Sequence, residues 1–214
     1  MKYSVIITCR NREKFISRCI RSALNQKQLA RHDYEVIVID DYSKDNSKKI
    51  ILDYQNVIKH HFNKKNLGLS ASRNIGLKLA KGKYVLMLDS DDYITDDTLN
   101  FLGLCLDYNK SWSAVACDYF TVTQLGKKIK RFSFERKPIA CGILYRKSKL
   151  FNIGLYNPKL KMMEDKDLMI RFKKKFDIGY LAVPLYRYTM HSKNMTKNKI
   201  MKKKYNKMLK KIHA

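Results

Sequence analysis

Three carboxylates fall within four positions at the end of an apolar run: Tyr84-Val-Leu-Met-Leu leads into Asp89, Ser90, Asp91 and Asp92. Acids this close repel one another unless a cation sits among them. Oxygen ligands alone select a hard ion, Mg²⁺ or Mn²⁺, and Mg²⁺ is commonly held by one or two carboxylates together with substrate phosphates. The same residues could instead form an acidic turn that caps the next helix. A second acidic group, Glu164, Asp165 and Asp167 around Lys166, sits at the start of an expected helix, where the helix dipole by itself favours negative charge. His191 is a lone imidazole near the C-terminus, and the adjacent His60 and His61 on one strand point to opposite faces and read as structural.

These groups need a scaffold to bring them together. Gly82 before and charge after bound Tyr84–Leu88 as a central strand of a covered sheet, and open α/β sheets bind ligands at such strand ends. Tyr3–Cys9 is a β-branched, apolar first strand, followed by a loop of Arg10, Asn11 and Arg12. Phe15, Ile16, Cys19, Ile20, Ala23 and Leu24 then recur at helical spacing. Tyr34–Ile39 is a second buried strand closed by Asp40, Asp41, Tyr42 and Ser43, with Ser43 or Asp45 able to cap the helix that follows. Val57–Phe62 reads as a third strand, and another helix runs to Ala80. Strand and helix so alternate through the first ninety residues, which implies a parallel sheet with right-handed crossovers.

The second half is less regular. Thr95 can cap a helix carrying Leu99, Leu102, Leu106 and Tyr108. Trp112–Val122 and Ile129–Phe134 read as strands joined by the turn Gln124-Leu-Gly-Lys-Lys, and a hairpin there makes the sheet mixed. A short helix over Arg146–Asn152, a longer one over Met163–Phe176 and a strand over Ile178–Tyr188 complete the pattern. No internal repeat or long linker divides it, so the expectation is a single α/β domain.

Composition bounds the function. The 214 residues are 45% hydrophobic and 11% aromatic, as in a globular chain. Against 19 acids stand 45 Lys and Arg, and the net charge of +26 needs a negative partner: nucleic acid, an anionic membrane face or a phosphorylated substrate. No stretch approaches a membrane span and the sequence opens on a strand with no signal peptide, so the expected compartment is the cytoplasm. Five scattered cysteines, Cys9, Cys19, Cys105, Cys117 and Cys141, fit reduced and mostly buried thiols rather than a disulfide framework or zinc site.

Taken in order, these motifs resemble the family 2 glycosyltransferases, the inverting enzymes of the GT-A fold. The likeness rests on Ser-Val-Ile-Ile-Thr-Cys-Arg-Asn-Arg-Glu at 4–13 and Asp40-Asp41-Tyr-Ser43-Lys-Asp45. It continues through Asn66-Leu-Gly68, Ala71-Ser-Arg73-Asn74-Ile-Gly76, Ala80-Lys-Gly82 and Leu88-Asp-Ser-Asp-Asp92. Glu164-Asp165 and Arg187-Tyr-Thr-Met-His191-Ser192 close it. The resemblance implies a Rossmann-like, mixed but mostly parallel sheet flanked by helices. It places a nucleotide-sugar-binding half at 1–92, an acceptor half at 93–192 and a separate tail at 193–214.

Roles follow position by position from that resemblance. Thr8 and Asp41 match positions that hold the nucleotide base, where a carboxylate suits the N3–H of uracil. Arg10, beside Asn11, stands in the same base-binding loop at a position usually occupied by an aromatic residue. Arg73 matches a group that approaches the diphosphate, and a guanidinium suits that charge. Asp89 matches the ribose- and metal-facing acid, Asp91 the direct metal ligand, and His191 an imidazole offered to metal or diphosphate. Asp165 matches the general base that takes the acceptor hydroxyl proton as its oxygen attacks the anomeric carbon. This scheme sets Arg73 and the metal on the leaving-group side of the sugar and Asp165 on the other. It implies Mg²⁺ or Mn²⁺ as cofactor, a nucleotide-sugar donor, UDP-linked in the first instance, and a glycan or lipid-linked acceptor in cell-surface polysaccharide or lipopolysaccharide synthesis.

The tail carries nine lysines from Lys193 onward and no acid, with Met201, Tyr205, Met208, Leu209 and Ile212 on one helical face. A basic amphipathic helix of this kind lies on an anionic membrane surface, which would make the protein peripheral on the inner face of the plasma membrane, unless the segment is a frayed, solvated tail. Two other functions are open. A nucleotidyltransferase on a similar sheet would want a glycine-rich loop after the first strand, and the loop here has no glycine. A nucleic-acid-binding module would account for the charge, but the basic residues spread along the chain without a binding motif.

Overall fold

The computed structural model describes all residues except 193, 195–198 and 214. Strands β1 (Tyr3–Cys9), β2 (Tyr34–Asp40), β3 (Lys59–Phe62) and β4 (Tyr84–Asp89) form a parallel set in the order β3-β2-β1-β4. Helices α1 (Ile16–Leu24), α2 (Ser47–Leu52) and α3 (Leu69–Leu79) make the crossovers. β1 and β2 are buried at every position, as a doubly covered parallel strand must be. Val5 and Ile7 face a core built with α1, α2 and α4 (Thr98–Tyr108). Ile6 faces the opposite core, built with α3, α5 (Lys147–Asn152) and α6 (Glu164–Lys173). α3 approaches closely because Gly76 has no side chain: a Cβ there would lie 2.3 Å from Cγ2 of Ile6.

Register fixes the chemistry. Thr8 pairs with Asp89 across β1–β4, and Cys9 with Asp40 across β1–β2, so the acidic ends of β2 and β4 flank the end of β1. This is the crevice at the carboxyl ends of strands where open α/β sheets bind ligands.

The remaining strands are β5 (Tyr93–Ile94), β6 (Ala114–Val122), β7 (Lys128–Phe132), β8 (Ile143–Arg146) and β9 (Ile178–Thr189). They extend the sheet as β4-β8-β6-β9-β5, with β7 paired to β6 as the expected hairpin. β8 runs antiparallel to both β4 and β6, and β6 and β9 are parallel, so the sheet is mixed. Neither β8 nor the two-residue β5 stands out in the sequence: four and two residues are too few for a period. The expected third strand shortens to an exposed edge, Lys59–Phe62, and His60 and His61 are exposed on it. Asp97 rather than Thr95 occupies the N-cap position of α4, and the Thr98 backbone N–H donates to the Thr95 main-chain carbonyl at 3.2 Å rather than to its hydroxyl.

The tail departs most from expectation. Its described part is α7 (Lys199–His213), and its apolar face is not free. Tyr205 and Leu209 are buried with Leu160 and Met162, and Met163, Ile170, Met201 and Met208 pack around them. His213 Nε2 lies 2.9 Å from Asp167 Oδ1 on α6. Met201, Tyr205, Met208 and Leu209 of the face expected to lie on a membrane are thus packed on the domain itself, where apolar area leaves water without lipid, while Ile212 of the same face remains 41% exposed. No helix among the described residues is long and apolar enough to cross a membrane. All five cysteines are free, four of them buried.

Candidate active site

Arg73 is the hub of the site. Projecting from α3, it is 2% exposed and reaches three carboxylates: Nη2 donates to Asp89 Oδ1 at 2.8 Å, and Nη1 donates to Glu164 Oε1 at 2.9 Å and to Asp165 Oδ1. Its guanidinium lies 5.2 Å from the Tyr156 ring centroid. A buried guanidinium requires counter-charge, and the end of β4 and the start of α6 supply it together. Expected on opposite sides of a bound sugar, Arg73 and Asp165 are here in direct contact: Arg73 bridges Asp89 to Asp165, joining the acid at the end of β4 to the acid on α6.

One guanidinium does not balance three carboxylates. Glu164, 3% exposed, has its pKa pushed up to about 8 by burial and then by the neighbouring Asp165 charge, against the opposing pull of Arg73. Asp165 is raised as well, by burial first and by Asp89, with Arg73 opposing. Its side chain is still 30% exposed. Burial therefore favours the protonated form at both acids, and of the two Glu164 is the enclosed one while Asp165 keeps access. Backbone geometry fixes both, since Met163, immediately before them, sits at φ 66 in the left-handed region.

The three acids at and just beyond the end of β4 make three different sets of contacts. Asp89 Oδ2 accepts from the Cys141 thiol at 3.0 Å while Oδ1 takes Arg73, and the side chain remains 32% exposed. Asp91 Oδ2 lies 2.8 Å from His191 Nε2 and 3.3 Å from Arg12 Nε. Asp92 is buried, accepting from the Tyr186 hydroxyl and from the Thr189 backbone N–H, both at 2.7 Å. Burial, followed by the charges of Asp91 and Asp89, drives its pKa well above the carboxylate range. Asp92 thus ties β9 to the acidic loop, with both of its oxygens engaged.

Asp91 and His191 together could hold a metal ion. The imidazole is stacked on Phe15 at 4.9 Å and its side chain is 3% exposed, so it is fixed before any ligand arrives. One carboxylate oxygen and one imidazole nitrogen suit Mn²⁺, which takes both donor types, better than Mg²⁺, with diphosphate oxygens and water to complete the shell. Among the described residues no group of three or more His, Cys, Asp or Glu side chains is assembled for a metal.

The residues expected at the base lie at the neighbouring strand ends. Thr8 is buried beside Asp89 in register. Asp41 is 4% exposed, and its carboxylate is turned into its own loop: Oδ1 accepts from Asn63 Nδ2 at 2.9 Å and Leu67 N at 2.8 Å, Oδ2 from Gly68 N at 2.9 Å. Gly68, at φ 88, is the N-cap of α3, so Asp41 fastens the entry to the helix that carries Arg73. Three of about four acceptor positions on this carboxylate are thus filled from within the protein. Arg10 is exposed at the mouth of the loop.

Arg12, Cys141, Tyr156 and Tyr186 join the site without having been singled out from sequence. The Cys141–Asp89 bond spans 52 positions and the Tyr186–Asp92 bond 94, and no local pattern signals pairs so far apart.

Comparison with known proteins adds an independent line. The family model described as glycosyl transferase family 2 matches residues 4–183. The poly(ribitol-phosphate) beta-N-acetylglucosaminyltransferase TarP of Staphylococcus aureus (strain N315) is 32% identical over 197 residues, covering 90% of this chain and 59% of that protein. A chondroitin synthase of Escherichia coli is 26% identical over 212 residues, which are 92% of this chain and 30% of the synthase. Among solved structures, S. aureus TarS 1-349 in complex with UDP-GlcNAc superposes with a TM-score of 0.79 at 26% identity, over 92% of this chain and 61% of that one. The chain thus spans about three fifths or less of each of these relatives.

Proposed function

The chain belongs to glycosyl transferase family 2 and has the GT-A fold, and on that premise we propose that it transfers a sugar from a UDP-sugar to a hydroxyl of a glycan or lipid-linked acceptor, with inversion, in building a cell-surface polysaccharide. The observation that carries this reading is the pairing of an open carboxylate, Asp165, with the acid loop Asp89–Asp91 through one buried guanidinium. Two solved structures of one relative, S. aureus TarS 1-349, bound to UDP and to UDP-GlcNAc, support the uridine donor.

In the proposed reaction the acceptor oxygen forms a bond to the anomeric carbon as the bond from that carbon to the diphosphate oxygen breaks. The diphosphate leaves with the electron pair, and the hydroxyl proton passes to Asp165. Arg73 holds Asp165 in place and, with Glu164 protonated, lets the more exposed acid remain the base. Thr8, Asp41 and Asp89 would bind the nucleoside, with Arg10 at the rim. Arg12, beside Asp91, stands ready for diphosphate charge. Asp91 and His191 would hold Mg²⁺ or Mn²⁺, which when bound neutralises charge on the leaving diphosphate. We place the reaction in the cytoplasm at the inner membrane face; five free cysteines and an outward lysine face on α7 support that placement.

The test is a titration of UDP-, GDP- and CMP-sugars with Mn²⁺, followed by nucleotide release with a glycan acceptor. Saturable binding of a UDP-sugar and release that depends on Asp165 are expected. No binding of any nucleotide sugar, together with a salt-sensitive complex with DNA or RNA, would replace this reading with a nucleic-acid-binding one.

A further inference from the structure

The flank of the sheet opposite β3, where the edge strand β5 meets α1, carries an open cleft of about 720 Å³ outside the site described above. Three arginines line it: Arg18 and Arg21 from α1 and Arg187 from β9. Two are held rigidly by neutral groups. Arg18 donates to the Gln124 carbonyl at 2.7 Å, the Thr189 hydroxyl at 2.9 Å and the Asp91 carbonyl at 3.3 Å, and its guanidinium lies 4.5 Å from the Tyr93 ring centroid. Arg187, paired directly opposite Tyr93 between β9 and β5, donates to the Pro184 carbonyl at 2.5 Å and the Tyr186 carbonyl at 3.3 Å.

What these arginines lack is counter-charge. Arg12, Arg73, Arg131 and Arg171 each pair with a carboxylate. Among the described residues, Arg18, Arg21 and Arg187 form no such pair within 4.0 Å. The one acid lining the cleft, Asp96, is 2.8 Å from Lys27 and so already neutralised. Burial lowers the pKa of Arg187, the direction expected of a cation without a partner. Arg18 Nε is buried with no hydrogen-bond acceptor. Positioned guanidiniums bind oxyanions through paired N–H donors, and their order here is set in advance by backbone carbonyls.

We propose that this cleft is a second anion site, taking a phosphate or carboxylate group carried on a sugar or polyol chain. The cleft is far larger than a single ion, and the exposed Asn25 lines it with an amide that suits hydroxyls, while the Ser22 and Thr95 hydroxyls there are already bonded to the Cys19 carbonyl and to Thr98. Because Arg18 also holds the Asp91 carbonyl, a ligand here adjoins the acidic loop from its outer side. The proposal does not depend on which sugar is transferred, or on transfer at all.

The experiment is a titration of the full chain, first saturated with UDP so that the strand-end site is filled, with inorganic phosphate in one arm and glucuronate in the other. Saturable binding of at least one oxyanion is expected, and the tighter arm identifies the group. Arg21→Gln and Arg187→Gln should each weaken it about tenfold or more, the loss of a charge-assisted contact, and Arg21→Gln should do so with UDP affinity and melting temperature unchanged. Arg21 is exposed and its variant keeps the fold whatever Arg187→Gln does. No oxyanion binding with UDP in place, or equal binding in Arg21→Gln, overturns the proposal.

Discussion

At Arg73 three carboxylates share one guanidinium, and the protonation of the least exposed of them sets a pH dependence. Glu164 rises from 4.5 to about 8 on folding, so the folded state binds its proton more tightly than the unfolded chain does. Its contribution to stability is therefore full below pH 4.5 and is lost as pH rises toward 8. Glu164→Gln keeps the acceptor for Arg73 and removes the titration. Melting curves from pH 5 to 8 should show wild type losing ground to this variant steadily; a constant gap would show that Glu164 is ionised throughout. Asp165→Asn tests the base itself. Donor affinity should stay close to wild type while transfer falls by ~10²–10⁴-fold. If Asp165 serves only the first turn of α6, the variant instead loses roughly 1 kcal/mol of stability and turns over normally. For the metal, transfer should vanish with chelator and return with Mn²⁺, and activity in Asp91→Asn that still responds to chelation as wild type does would remove Asp91 as its ligand.

Among the elements, α7 is the one whose role changed. Its apolar face packs on Leu160, Met162, Met163 and Ile170, the segment that leads into Glu164 and Asp165. Leu209→Ala should then cost about 2 kcal/mol, the low end for a buried leucine because the cluster is small and peripheral. Thermal unfolding measures this directly, and a loss under about 0.5 kcal/mol, typical of a surface position, would mean that α7 is not docked in solution. A chain ending after Thr196 should melt lower for the same reason, rather than simply losing a solvated tail.

Over the whole molecule, the charge of +26 is unevenly used. With its apolar side docked, α7 turns Lys202, Lys203, Lys207 and Lys210 outward around one shallow surface. Attraction of such a face to anionic lipid contributes about 1 kcal/mol per lysine and fades with salt. Changing Lys202, Lys207 and Lys210 together to Ala should abolish sedimentation with anionic vesicles at low salt without lowering the melting temperature. Sedimentation of this variant equal to wild type would assign the membrane contact elsewhere, to the exposed Ile200 and Ile212 of α7 or to another surface.

The sequence by itself determined the strands of the first half, because a strand buried on both faces must be apolar at every position, and β1 and β2 are. It also placed Thr8, Asp41, Asp89 and Asp91 at strand ends, since chemistry-bearing residues begin where those runs stop. The tertiary structure alone decided how charge is shared. Arg73 meets Glu164 and Asp165 across 91 and 92 positions, and nothing local foretells that one guanidinium serves both sides of the site. It alone inserted β8 between β4 and β6, which four residues cannot announce by period. The tail shows the division most plainly. Its helical period was legible because amphipathicity is a property of one helix. What covers the apolar side was not, because that depends on the surface another part of the chain presents after folding, here Leu160 and Met162.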